Sequence, residues 1–190
     1  MRIIMTRWFC VLMAGVFPFL ASAQLRDVDG RPTALFTPPG AANVLIFVSS
    51  DCPISNGYAP EIQRVCGAYR PKGVRCSLVY EDLHIDAAAV RKHLEEYRYA
   101  GIPAVIDGDR AVARRTGASV TPQAVVLDAT GKVRYRGRID NFYAALGQPR
   151  QRATVHDLRD ALDAVTAGRT VATPETEALG CFITSSKDTP

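Results

Sequence analysis

The chain has 190 residues, 47% of them hydrophobic and 22% charged, enough to bury one sizeable core and too apolar for a disordered chain. Its formal charge is +4, falling to +2 (21 basic against 19 acidic) if residues 1–23 are removed. A balance so near zero gives no case for nucleic acid or an anionic membrane as partner.

Arg2 and Arg7 precede an apolar run from Trp8 to about Leu20, and Ala21-Ser22-Ala23 stands before Gln24. Basic start, short apolar middle and small residues at the end predict a cleavable secretory signal over 1–23, cut after Ala23. The run falls short of the roughly 20 residues that a spanning helix needs, so no stable membrane anchor is expected after cleavage. A periplasmic or secreted location follows. Cys10 leaves with the signal, and Cys52, Cys66, Cys76 and Cys181 remain in an oxidising compartment, where paired cysteines persist.

Residues 24–43 carry turn chemistry, Asp27-Val-Asp-Gly30 and Pro38-Pro39-Gly40, around at most one short strand. Val44-Leu-Ile-Phe-Val48 is apolar throughout, as expected of a central strand covered on both faces. It runs through Ser49-Ser50-Asp51 to Cys52, and Pro53 then opens a helix. Ile54, Tyr58, Ile62, Val65 and Tyr69 form one helical stripe, with Pro60 inside it as a bend or restart. Pro71-Lys-Gly73 ends that helix, and Val74 to Tyr80 alternates into a second strand.

Asp86 caps a helix to about Tyr99. Ile102–Ile106 is a short strand and Arg110–Thr116 a short helix stopped by Gly117. Val120 to Asp128 is a strand entered through Thr121-Pro122. Asp128-Ala-Thr-Gly131 turns it into a return strand from Lys132 to Arg136. Thr154 opens a last helix through Ala167, with Leu158, Leu162 and Val165 inward. Residues 168–190 read as a polar tail whose apolar cluster is Gly180-Cys181-Phe182-Ile183. The order is α/β, a mainly parallel sheet finished by antiparallel strands.

Three segments in this order, Phe47-Val48-Ser49-Ser50-Asp51-Cys52-Pro53, Val120-Thr121-Pro122 and Leu127-Asp128-Ala-Thr-Gly131-Lys-Val-Arg-Tyr-Arg-Gly137, resemble the thioredoxin-like superfamily in its redoxin branch, the alkyl hydroperoxide reductase and thiol-specific antioxidant proteins. The resemblance implies a thioredoxin-like fold over residues 24–167, with a central mixed sheet flanked by helices. It also implies an inserted strand–helix unit, leaving the tail outside the domain. No cofactor is implied.

Cys52 is the candidate nucleophile, because thiolates attack disulfides and a helix amino terminus stabilises a thiolate. Its sulfur is expected within reach of solvent and beside Pro122. By resemblance, Thr121-Pro122 is a cis-proline whose neighbouring backbone pairs with an extended substrate, so Pro53, Thr121 and Pro122 are candidate substrate-binding residues. Ser55 stands where a Cys-x-x-Cys enzyme has its second cysteine, and a hydroxyl cannot expel a mixed disulfide. The second thiol is therefore Cys181 or an external thiol reductant. Cys66 and Cys76 either face the core or bridge each other.

The substrate is then a protein or small-molecule disulfide. A peroxidase alternative takes Cys52 as the peroxidatic cysteine, with Ser49 at the threonine place of the peroxidatic motif and Arg136 or Arg138 supporting the thiolate or peroxide. Leu45 replaces that motif's proline. A non-catalytic binding module using the proline groove is a third reading. His84, His93 and His156 are scattered, the last two on helices where a solvated histidine is commonplace, and no metal site is expected.

Overall fold

The structure is a computed structural model that describes residues 25–37 and 40–183. The expected signal peptide, residues 1–23, lies outside them. Among the described residues no helix is long and apolar enough to cross a membrane. In chain order the elements are β1 (Ala42–Val48), α1 (Pro53–Gly57), α2 (Ala59–Tyr69), a 3-10 turn (Arg70–Lys72), β2 (Val74–Tyr80), α3 (Ala87–Glu96), β3 (Ala104–Ile106) and α4 (Ala111–Thr116). There follow β4 (Val120–Thr121), β5 (Gln123–Asp128), β6 (Val133–Gly137), β7 (Tyr143–Ala145), β8 (Gln148–Pro149), α5 (Asp157–Thr166) and β9 (Cys181–Phe182).

Successive side chains of a strand point to opposite faces, so a strand covered on both must be apolar throughout. In β1, buried at every position, Val44, Ile46 and Val48 enter one hydrophobic cluster and Leu45 and Phe47 another. The first cluster takes Ile54, Ile62, Val90 and Leu158 from α1, α2, α3 and α5; the second takes Val112 and Ala113 from α4, with Leu35. The sheet order is β3-β2-β1-β5-β6, with β1, β2 and β3 parallel and β5 and β6 antiparallel. The expected α/β layout with a mixed sheet flanked by helices is therefore the one adopted.

Where the structure departs from the sequence reading, local hydrogen bonds explain it. The stripe from Pro53 to Tyr69 is two helices meeting at Tyr58, with Pro60 in the first turn of α2, where its missing amide costs nothing. The last helix begins at Asp157 rather than Thr154, because Asn141 Oδ1 accepts the Thr154 and Val155 amides at 2.8 and 3.0 Å. The loop after β6 folds back as the small β7–β8 hairpin. Cys66 and Cys76 bridge, one of the two alternatives left open above; the disulfide joins α2 to β2 with Cα atoms 5.8 Å apart.

Residues 168–183 are a docked strap. Val171 is buried, the Arg136 amide donates to Pro174 O at 2.9 Å, and the Thr176 amide donates to Arg136 O at 3.1 Å. Beyond them β9 pairs antiparallel with β4, Thr121 opposite Cys181 and Val120 opposite Phe182. Backbone pairing needs no apolar periodicity, which is why side-chain pattern alone reads this stretch as tail.

Candidate active site

Cys52 caps α1, with φ −89° and ψ 110°, and Pro53 occupies the first turn beside it, exposed. The Thr121–Pro122 peptide is cis. The Cys52 thiol donates to Thr121 O at 3.2 Å, so thiol and proline are neighbours although 69 residues separate Cys52 from Thr121. Cys181 Sγ lies 2.7 Å from Cys52 Sγ, well inside a non-bonded sulfur contact and outside the roughly 2.05 Å of a disulfide. Four of the sequence candidates, Cys52, Thr121, Pro122 and Cys181, thus meet at one point.

Cys52 itself is only 1% exposed, against the expectation of a solvent-reachable sulfur. Cys52 belongs to the core cluster that holds Ile54 and Tyr58, and the exposed Cys181 of the strap stands over it. Partial burial and the neighbouring Cys52 sulfur push the Cys181 thiol up to about 11, so near neutral pH Cys181 holds its proton.

Ser55 is buried, and its hydroxyl accepts the Ser49 amide at 3.4 Å, bracing the turn. The Ser49 hydroxyl donates to Asp82 Oδ1, and Asp82 Oδ2 accepts from the Ser50 amide at 3.0 Å. Arg136 pairs with Glu175 at 2.5 Å, and Arg138 pairs with Asp157 at 2.7 Å. Ser49, Arg136 and Arg138 are thus committed to partners other than the thiol pair.

Several residues that shape the site carry no motif. Asp82 clamps the Ser49–Ser50 turn, and parallel register is the signal that could have found it. Val48 lies opposite Tyr80, so the residues just past each strand end, 49–50 and 81–82, come together. Glu81, buried with both carboxyl oxygens unpartnered, is pushed up to about 9 by burial and by nearby Asp107, and is neutral at pH 7. It lines a cleft of about 200 Å³ together with Arg110, Thr121 and Cys181. Asp140 makes loop hydrogen bonds, its Oδ1 accepting from the Tyr58 hydroxyl and the Phe142 amide, each at 2.8 Å.

His84 and His156 are exposed, but His93 is buried, contrary to the solvated reading. The Asn56 amide NH2 donates to Ser50 O at 2.8 Å, which leaves Asn56 Oδ1 to accept from His93 Nε2 at 2.9 Å. Nδ1 is then the bare nitrogen, accepting the Tyr80 hydroxyl at 2.7 Å. This chain reaches from α3 to the turn before Cys52.

Burial lowers the His93 pKa, against the opposing pull of Glu96, Asp82 and Asp51. The folded state binds the proton less readily than the unfolded chain. The imidazole's contribution to stability is therefore complete above the unfolded value near 6.5 and is lost as pH falls below it toward the folded value. We expect the difference in urea midpoint between wild type and His93→Gln to shrink from pH 7.5 to pH 5. A pH-independent difference would refute the neutral assignment.

Strand–helix–strand topology with a thiol between β1 and α1, a proline neighbour and a second thiol against the first define a thioredoxin-like redoxin. Residues 19–136 match the AhpC/TSA family. The chain belongs to that family. No curated protein matches it. Among solved structures it is similar to an uncharacterized conserved protein from Geobacillus kaustophilus, with 26% identity, TM-score 0.71, and 87% of this chain and 89% of that one covered. It is equally similar to a hypothetical protein from Sinorhizobium meliloti 1021, with 26% identity, TM-score 0.72, and coverage of 84% and 88%. A secreted Mycobacterium tuberculosis disulfide oxidoreductase homologous to E. coli DsbE shares the fold at 19% identity, TM-score 0.52, over 76% of this chain and 94% of that one.

Proposed function

We propose that the protein is an exported thiol–disulfide oxidoreductase in which Cys52 and Cys181 are the working couple and Ser55 leaves the second thiol to the strap. The approach of the two sulfurs to 2.7 Å beside Pro122 carries this reading. Export is supported by the signal-like start and by the Cys66–Cys76 bridge, since disulfides persist in oxidising compartments.

In the reducing direction, the Cys52 thiolate attacks one sulfur of a substrate disulfide R–S–S–R′. A Cys52–S–S–R bond forms, and R′–S⁻ leaves and takes a proton from solvent. The Cys181 thiol then loses its proton and attacks Cys52 Sγ. The Cys52–Cys181 disulfide forms, and R–S⁻ leaves as R–SH. Two electrons pass from the cysteine pair to the substrate, and an external thiol reductant restores the pair. Cys52 attacks first because Cys181, pushed up to about 11, holds its proton at neutral pH.

Peptide mapping of the oxidised chain without reductant tests the couple. It should show Cys52 joined to Cys181 and Cys66 joined to Cys76. Cys181→Ser should accumulate the Cys52 mixed disulfide and slow turnover by roughly tenfold or more, the remainder depending on external thiol. A Cys181→Ser protein that turns over at the wild-type rate with no trapped intermediate would show that the strap thiol is idle.

A further inference from the structure

The chain's own strap lies against Cys52, its Cys181 sulfur touching the Cys52 sulfur, and the way the strap is held says what else can lie there. Thr121 pairs with Cys181 and Val120 with Phe182, and the Ile183 amide donates to Ser119 O at 2.8 Å. These groups form the backbone edge beside Pro122 that leads to Cys52. A β-carbon on Gly180 would sit 2.0 Å from Thr121 O and 2.6 Å from Thr121 C, both fixed backbone atoms. Any side chain at that place lifts the strand off the edge and carries the following cysteine away from Cys52.

Phe182, the largest side chain of the segment, is 80% exposed. The strap is therefore held here by backbone pairing, by close approach and by the half-buried Ile183 against the cluster of Leu45 and Phe47, a strand-edge attachment that another strand can replace.

We propose that Gly180–Ile183 is a built-in substrate strand. It occupies the edge that a disulfide-bearing protein segment must pair with, and the segments admitted in its place are extended ones whose reactive cysteine follows a glycine. This rests on the thiol–disulfide reading above and adds to it the substrate class and its gating. The incoming segment displaces β9 to expose Cys52 and form the mixed disulfide. When the strap returns, the incoming segment is displaced from the edge at the moment Cys181 arrives to release its thiol. Docking, attack and product release thus share one strand exchange.

The test uses the reduced full-length protein and peptide mass spectrometry of iodoacetamide-labelled Cys52. Gly180→Ala, which adds only the clashing carbon, and Ile183→Pro, which removes the Ser119 bond from a separate position, should each label Cys52 about tenfold faster than wild type or more. On Gly180→Ala, a peptide Gly-Cys-Phe-Ile bearing an aromatic mixed disulfide should react about tenfold faster than Val-Cys-Phe-Ile bearing the same group. Equal labelling in wild type and both variants would overturn the gate. Equal peptide rates would overturn the glycine requirement. Failure of the underlying reading looks different: Cys52 then exchanges with no disulfide in any variant, however fast it alkylates.

Discussion

Cys52→Ala should bring reduction of insulin or of a small aromatic disulfide down to the rate of buffer alone, while Cys66→Ala keeps most of the wild-type activity. The first half follows from chemistry: without the Cys52 sulfur no mixed disulfide forms in the groove. Cys181, left alone on the strap, has no partner thiol within reach to complete the exchange. The second half follows from position. Cys76 lies opposite Val44 in the sheet, four residues before β1 ends at Val48, or about 13 Å from the active-site end at strand rise. Turnover measured on both variants decides it, and equal activity in Cys52→Ala and wild type would end the enzymatic account.

The double variant Cys66→Ala/Cys76→Ala should lose about 3 kcal/mol of stability, with Tm lower by about 6–12 °C. The bridge closes a loop of sequence separation 10 between α2 and β2. Its removal restores the loop's freedom in the unfolded chain, in the chain-entropy account of disulfides. Replacing both cysteines leaves no unpaired thiol from the bridge to complicate the unfolding measurement. Thermal unfolding of the double variant, beside wild type with and without reductant, checks the loss. An unchanged melting temperature would show that the bridge adds nothing to the fold. Because Cys66 and Cys76 stand outside the proposed Cys52–Cys181 couple, exchange activity at 25 °C should survive the loss.

The local signals of the fold were legible. The five apolar residues from Val44 to Val48 announce a strand covered on both faces, and the Asp128–Gly131 turn announces the antiparallel return. Cys52 was legible as the candidate nucleophile because a cysteine between an apolar strand and a proline is a local pattern.

What could not be read depends on distant groups that meet only through strand register. Asp82 reaches the Ser49–Ser50 turn because β1 and β2 run parallel and in step. His93 looks like any helical histidine until Tyr80 and Asn56 close around it. The Cys66–Cys76 pairing needs the crossing of α2 over β2, and no spacing encodes that. The position of Cys181 needs β9 against β4, a pairing of two-residue strands too short to leave a periodic trace.

The strap has one more consequence, for the borders of the sheet. β6 is a border strand, and an unpaired border invites pairing with another molecule. Here Pro174 and Thr176 take up the free amide and carbonyl of Arg136, while the amide of Val28 caps the opposite border at Ala104 O, 2.9 Å away. The stretch that brings Cys181 to the thiol site therefore also shields the sheet from its neighbours in solution. Deleting it would confound lost chemistry with aggregation, whereas changing the single sulfur atom of Cys181 leaves that shield in place.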